Sequence, residues 1–328
     1  MTTLQESSHA FMVLQNDPAL LAQQAAAREW YGEGVRWSHV RLMTVVLLPL
    51  GWGVMNTVWA IALPGIAPTV LGQSRVWAAA AGLSLAIADY GWIKPGIDRV
   101  RRAAAVAQEM FDTTVLDLPW NALLVGARHQ VADIAKRGAG IVGDRKAMDL
   151  LKGWYTPDLA GLPFPMARLM AQRMNVWWDR SLREEYVKPL RITIAVVVAG
   201  VTVVALATGQ SLAIAVLVFA SLLPGLRVWN EELASHQRTR ERHETILAHL
   251  ASVRDALRGG RLSDADAREE SRKLQDAIFQ QRAAAPLGVP KTYWRSRDAN
   301  EDAYRQEVRL LAEAATGNID TSASRVGR

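Results

Sequence analysis

Apolar residues are concentrated in two blocks of this chain, residues 42–93 and 190–229, whereas the other segments are as charged as ordinary soluble protein. The hydrocarbon core of a bilayer is about 30 Å thick, so a helix that crosses it needs roughly twenty apolar residues. Each block holds two such runs, separated by a short turn that contains Gly or Pro. The pattern predicts an all-α membrane protein whose four transmembrane helices form two hairpins, at residues 42–63, 76–93, 190–208 and 212–229.

The distribution of Lys and Arg predicts the orientation of these hairpins. Residues 94–191 contain sixteen Lys or Arg and the tail beyond Trp229 contains seventeen, whereas the two hairpin turns contain only Arg75. Because positive charge is retained on the cytoplasmic side, the middle segment and both termini are expected in the cytoplasm. No cleavable signal peptide is expected, since the N-terminal segment lacks a basic start and a small-residue cleavage site.

These patterns divide the chain into five predicted parts. They are an N-terminal cytoplasmic helix at 1–41, transmembrane hairpins at 42–93 and 190–229, a cytoplasmic helical domain at 94–189, and a cytoplasmic helical tail at 230–328. Asp17 before Pro18 predicts a capped helix start, and Ser263 with Asp266 three residues later predicts another. Gly138, Gly140 and Gly143 predict a turn, which lacks the residues of a phosphate-binding loop.

One helical face in the tail predicts either a subunit contact or packing inside the chain. Its members alternate in steps of four and three residues, as in a heptad seam: Thr239, His243, Ile246, Leu250, Val253 and Leu257. The apolar seam is shorter than the three or four heptads that identify a coiled coil, so both interpretations stay open.

Charge and composition limit the possible chemistry. The chain contains no Cys, which excludes disulfides, a thiol nucleophile and thiolate metal sites. Its formal net charge of +6 suits an anionic lipid or ligand, but is equally explained by the charges that orient membrane helices. His spacing, nucleophile motifs and paired carboxylates indicate no catalytic or metal site, so we expect neither an enzyme nor a cofactor.

The predicted spans carry few groups that could transport ions. No charge lies at the centre of a span, which argues against a proton-coupled transporter or a voltage sensor. Asp89, near the end of the second span, is either a gate element or, as we favour, a carboxylate at the level of the headgroups. A pore assembled from several copies remains compatible with this pattern.

The segment from Gln172 to Arg180 mixes Arg, Asn and paired Trp, the residue types that bind nucleotides through charge, hydrogen bonds and stacking. A competing interpretation, which the residues alone favour, is an interfacial helix in which Trp177 and Trp178 anchor at the headgroups. A second basic and aromatic cluster surrounds Tyr293 and Arg295.

The order of several short motifs around the two blocks is similar to one known family. The motifs are Phe111-Asp112-Thr113, Leu118-Pro119-Trp120-Asn121, Trp154-Tyr155, Gln172-Arg173 with Asn175, Trp178-Asp179 and Tyr186, Leu274-Gln275, Ile278-Phe279, Arg282, Pro290 and Tyr293. In these residues the chain resembles the SMODS- and SLOG-associated four-transmembrane effectors of bacterial cyclic-oligonucleotide antiphage systems.

The resemblance implies an effector of the bacterial inner membrane that is gated by a cyclic di- or oligonucleotide messenger and disrupts the bilayer as a homo-oligomeric pore. No DNA or RNA polymer is expected as a partner. Combined with the residue chemistry, it leads to the hypothesis that eight residues shape the sensing surface: Arg173, Asn175, Trp178, Arg180, Trp120, Asn121, Tyr293 and Arg295.

Two other classes of protein remain as alternatives. One is a non-conducting membrane scaffold that recruits partners through its cytoplasmic helices, and the other is a small transporter that depends on Asp89.

Overall fold

The computed structural model describes residues 2–48, 51–52, 55, 77, 80–207, 212–287, 302 and 304–310, and their secondary structure is helical, without a strand. The helices are α1 Thr2–Leu14, α2 Pro18–Arg41, α3 Lys94–Val115, α4 Ala122–Val125, α5 Val131–Val142, α6 Arg145–Asp149, α7 Phe164–Ala207, α8 Leu212–Arg258 and α9 Asp264–Ala284. Two π-helical segments, Leu42–Leu47 and Asp89–Ile93, and a 3-10 turn, Pro157–Gly161, adjoin them. The prediction of an all-α chain is therefore confirmed for the described residues.

The predicted helix starts are confirmed in atomic detail. The Asp17 carboxylate accepts a hydrogen bond from the Ala19 backbone N–H at 2.8 Å, and Pro18 begins α2. The Ser263 hydroxyl accepts from the Asp266 N–H at 3.1 Å, where α9 begins. Both side chains satisfy amide groups that have no partner inside the first helical turn.

The main apolar core lies where α1, α3, the 3-10 turn and α7 meet. Its largest fully buried side chains include Phe111, Tyr155, Leu159, Leu162 and Met170. A second core joins α7, α8 and α9, and there Ile246, Leu250 and Val253 pack with Leu274 and Ile278. The heptad face of the tail is thus buried inside the chain, which decides between its two interpretations.

The predicted glycine-rich turn is wrong in part, because Gly138 and Gly140 lie inside α5. A Cβ atom at Gly138 would stand 3.2 Å from the backbone oxygen of Ala22 and from the backbone nitrogen of Ala26. Gly138 is therefore required by the close approach of α5 to α2, and not by a turn.

The membrane part of the predicted fold is wrong. No helix in the described part of the chain is both long enough and apolar enough to cross a bilayer. In the second apolar block, α7 and α8 are two separate helices, and each continues without a break into a charged half that packs in the core.

Parts of the predicted hairpins lie outside the described residues. They are positions 49–50, 53–54, 56–76, 78–79 and 208–211.

Candidate functional site

A buried polar network joins α3, α7 and α9, and Asp112 lies at its centre with 1% of its surface exposed. The Tyr155 hydroxyl donates to Asp112 Oδ1 at 2.7 Å, and Gln275 Nε2 donates to Oδ2 at 3.2 Å. Arg282 donates to the same Oδ2 atom. Burial disfavours the charged guanidinium of Arg282, but the Asp112 carboxylate holds its pKa above the ordinary value. Asp112 is thus a buried anion held by one cation and two neutral donors.

Glu109, one turn earlier on α3, extends the network towards α9. Its carboxylate accepts from Gln275 Nε2 at 2.8 Å and from Arg272 at 2.7 Å. Burial raises the pKa of Glu109 above its ordinary value, although both donors act against this. Arg272 also reaches Asp276 at 2.7 Å, and Asp276 accepts from Asn121 at 2.9 Å.

The predicted ligand residues Asn175, Asn121 and Arg173 make contacts inside the chain. Asn175 Nδ2 donates to the Tyr155 hydroxyl at 3.1 Å, and Asn175 Oδ1 accepts from Trp154 Nε1 at 3.3 Å. Asn121 belongs to the network through Asp276, and Arg173 pairs with Glu307 of the helical residues 304–310. Two of these residues therefore belong to the buried polar network, and the third holds the last described helix.

The other predicted ligand residues lie apart from that network. Trp120 Nε1 donates to the Gly126 carbonyl at 2.9 Å, and Arg180 donates to Glu184 at 3.2 Å within α7. Trp178 is partly buried on α7. Tyr293 and Arg295 lie outside the described residues. None of the six described candidates lines the cavity described next, and their role in ligand binding stays a prediction.

A cavity of about 660 Å³ lies between the end of α2, the start of α3, the middle of α8 and the segment after α9. This volume is within the range of small-molecule sites, about 300–1,000 Å³. We call it the α2–α3–α8 cavity. Its lining residues are Val35, Ser38, His39, Arg41, Leu42, Lys94, Ile97, Asp98, Arg101, Val228, Trp229, Glu231, Glu232, Ser235, Arg238, Ala284, Pro286 and Leu287.

Two of the three acidic side chains in the lining are paired with Arg, and the third, Glu232, faces a histidine that carries a charge only if protonated. Arg101 pairs with Asp98 at 2.8 Å, Arg227 with Glu231 at 3.1 Å, and His236 lies 3.4 Å from Glu232. Lys94 and Arg238 have no acidic partner among the described residues. The cavity therefore presents two exposed basic side chains that form no ion pair with a described carboxylate.

Arg41, at the cavity wall, ties the two π-helical segments together. Its Nε and Nη2 atoms donate to the two carboxylate oxygens of Asp89 at 2.7 and 2.9 Å. Arg41 directly precedes one π-helical segment, and Asp89 begins the other. Segments of this type often mark functional positions in helices.

A cluster of charged and imidazole groups connects α7 to α8 beside the cavity. Asp179 Oδ2 accepts from Arg183 Nε at 2.9 Å and lies 3.2 Å from His243 Nε2. Arg183 also donates to the Pro286 carbonyl at 3.0 Å, and Pro286 lines the cavity. Burial by itself would raise the pKa of Asp179, but Arg183 and His243 hold it below its ordinary value.

Sequence reasoning missed the cavity residues. Lys94 and Arg238 are far apart in the chain, and each resembles a charge that orients a membrane helix. Trp229 resembles an interfacial anchor for the same reason. No local pattern distinguishes these residues from their neighbours, since only the packing of α2, α3 and α8 brings them to one cavity.

Comparison with known proteins gives two matches. The family model described as the SMODS-associating 4TM effector domain matches residues 12–311. A Bacillus cereus (strain VD146) protein named "Probable CBASS effector molecule" is 24% identical over 302 residues, which cover 92% of this chain and 98% of that protein. No solved structure matches the chain.

Proposed function

Because this chain belongs to the SMODS-associating 4TM effector domain family, we propose that it is an effector of a bacterial CBASS antiphage system, switched on by a cyclic nucleotide messenger. The family match over residues 12–311 is the observation that carries the proposal. The Bacillus cereus relative supports it, since the two chains align over nearly their whole lengths.

The output of the effector is disruption of the bacterial inner membrane by a homo-oligomer. Support comes from exposed large apolar side chains, which on soluble monomers rarely form extended groups. Most of the strongly exposed ones in the described residues belong to residues 43–92 and 192–206: Met43, Leu48, Trp52, Met55, Trp77, Leu83, Ile87, Tyr90, Trp92, Ile192, Val196, Val203 and Leu206. Contact with lipid, or with further copies of the chain, would cover this apolar surface. The proposed action is a change of assembly and requires no catalytic group.

No contact among the described residues favours the scaffold or the transporter. A scaffold that recruits partners through its cytoplasmic helices loses the heptad face as a docking surface, because Ile246, Leu250 and Val253 are buried. A transporter that depends on Asp89 would need its carboxylate accessible, but both oxygens accept hydrogen bonds from Arg41.

Growth of bacteria that express the chain together with a cyclic nucleotide synthase tests the proposal in cells. We expect arrest with the active synthase and normal growth with a synthase whose active site is inactivated. Normal growth with the active synthase, at confirmed expression of both proteins, would contradict a messenger-switched effector.

Leakage of a dye from liposomes tests the membrane step. We expect one member of a panel of cyclic di- and trinucleotides to release dye from vesicles that hold the purified chain, while vesicles without protein retain it. Binding of a nucleotide without leakage would keep the sensing role and overturn membrane disruption.

A further inference from the structure

We propose that the α2–α3–α8 cavity is the messenger site and that it accepts a cyclic dinucleotide, whose two phosphates lie against Lys94 and Arg238. This inference deepens the proposed function and depends on it. Three independent features of the cavity lead to it, namely its unpaired basic side chains, an unsatisfied buried donor and its position in the chain.

The charge of the cavity matches a ligand with two separate anionic groups. Asp98 and Glu231 pair with Arg101 and Arg227, and Glu232 lies 3.4 Å from His236, which is charged only if protonated. Lys94 and Arg238 are left, from two different helices, without a carboxylate among the described residues. Cyclic dinucleotides carry one negative charge on each of their two phosphodiesters, and hydrogen bonds from ionised donors to phosphate are among the strongest in proteins. Two cations on different walls therefore suit this ligand class better than a single phosphate.

Trp229 supplies a donor that the protein itself leaves unused. Its side chain lines the cavity, and the residue is only 8% exposed. The indole Nε1 atom is buried and has no hydrogen-bond partner among the described residues. A buried donor without an acceptor is unfavourable, and a ligand that turns the Trp229 indole towards the cavity would provide Nε1 with an acceptor.

The position of the cavity explains how binding could alter the rest of the chain. Its walls include Leu42, the first residue of one apolar block, and Trp229, the last residue of the other. A ligand that bridges Lys94 and Arg238 would fix α3 relative to α8 and favour one arrangement of the Arg41–Asp89 link beside it. Ligand binding in the cavity would therefore change the contacts at the ends of both apolar blocks.

Photo-crosslinking of the intact wild-type protein tests the site without any substitution. The probes are azido derivatives of cyclic dinucleotides, and the labelled peptides are identified by mass spectrometry. We expect label within residues 35–42, 94–101 or 228–238, removed by an excess of the unmodified cyclic dinucleotide. Label confined to the segment 172–180 or 291–295 would overturn the cavity.

Affinity measurements on paired variants provide the second test. Lys94→Ala and Arg238→Ala should each raise the dissociation constant about 10- to 100-fold, the expected effect of losing one charge-assisted hydrogen bond. Arg99→Ala and Arg242→Ala are the matched controls, because these exposed residues lie on the same two helices but do not line the cavity. Thermal unfolding of each variant confirms that it is folded.

The outcomes separate the cavity from the proposed function. If wild type binds a cyclic dinucleotide, and Arg173→Ala weakens binding while Lys94→Ala and Arg238→Ala do not, the cavity is overturned and the effector function stands. If wild type binds no cyclic nucleotide, both fail. If phosphatidylglycerol vesicles remove the crosslinked label and soluble cyclic dinucleotides do not, the cavity binds lipid phosphate and the messenger site is overturned.

Discussion

Asp112 ties α3 to α9 and to the segment before α7. Its carboxylate accepts from Tyr155, Gln275 and Arg282 and has almost no contact with solvent. Asp112→Asn would leave the Arg282 guanidinium buried without its counter-charge. We expect the free energy of unfolding to fall by about 3–5 kcal/mol, as when one partner of a buried ion pair is removed, measured by urea denaturation.

Asp149→Asn is the control for Asp112→Asn. It removes the same type of charge from an exposed pair with Lys152, at 2.7 Å, and should leave unfolding unchanged. Equal effects of the two substitutions would show that the buried network contributes no more to stability than a surface pair.

The lowered pKa of Asp179 predicts that the protein loses stability at acid pH. Burial would raise its pKa, but Arg183 and His243 hold the pKa below the ordinary value. A lowered pKa in the folded state contributes stability that is fully present above the unfolded value of about 4 and is lost as pH falls through the folded value. Because the Asp179 side chain is 40% exposed, Asp179→Asn should unfold more easily than wild type at pH 7 by only about 1 kcal/mol, and this difference should shrink at about pH 3.

Urea denaturation of both proteins at pH 7, 5 and 3 measures this change. Asp149→Asn, which alters an exposed carboxylate paired with Lys152 at 2.7 Å, serves as a control. A difference between wild type and Asp179→Asn that stays constant across this range would contradict the assigned pKa shift.

At the scale of elements, the packing of α5 on α2 depends on a glycine that has no role in a turn. Gly138→Ala would place a methyl group against the backbone of α2 and should cost about 1–3 kcal/mol of unfolding free energy through overpacking. Gly140→Ala, on the same helix, meets nothing within 4 Å and should stabilise the protein by up to about 1 kcal/mol, because Ala favours a helix interior.

Thermal unfolding monitored by circular dichroism compares the two glycine variants. Opposite shifts of the midpoint are expected. Stabilisation by both substitutions would mean that α5 does not approach α2 as closely as described.

The long helix α7 extends beyond the apolar segment that the sequence pattern marks out. Residues 190–207 form the second part of α7, and residues 164–189 form its first part without a break. The sequence predicts a helix that starts at Met166, after Pro165, whereas α7 begins at Phe164 and contains Pro165 in its first turn. The sequence did not predict that the polar half would pack so closely against α8 and α9, because the partners of Leu169 and Val176 lie many residues away.

For the whole molecule, the exposed apolar side chains of α7 predict association with lipid. Ile192, Val196 and Val203 are each between 63% and 64% exposed. Replacing all three with Gln should reduce flotation of the protein with liposomes at least tenfold, since burying each such side chain contributes about 1.5–3 kcal/mol.

Leu123→Gln with Val131→Gln is the control for this experiment. Both residues are strongly exposed, at 102% and 83%, but lie outside the two apolar blocks. Equal loss of flotation in both variants would show that lipid binding does not depend on these blocks.

The sequence by itself determined the features that depend on near neighbours. Helix starts at Asp17 and Ser263, the all-helical character and the two apolar blocks follow from caps and periodic patterns within a few turns. The order of its short motifs also identified the family, and the structure brings several of them, including Asp112, Tyr155 and Gln275, into one network.

Only the tertiary structure decided which polar groups meet. Asp112 and Arg282 are 170 positions apart, and Arg41 and Asp89 are 48 positions apart. The α2–α3–α8 cavity likewise exists only because three helices from distant parts of the chain enclose it. A sequence pattern records which face of a helix is apolar, but the partner of that face depends on how the helices pack, and this packing is determined by the free energy of the whole chain.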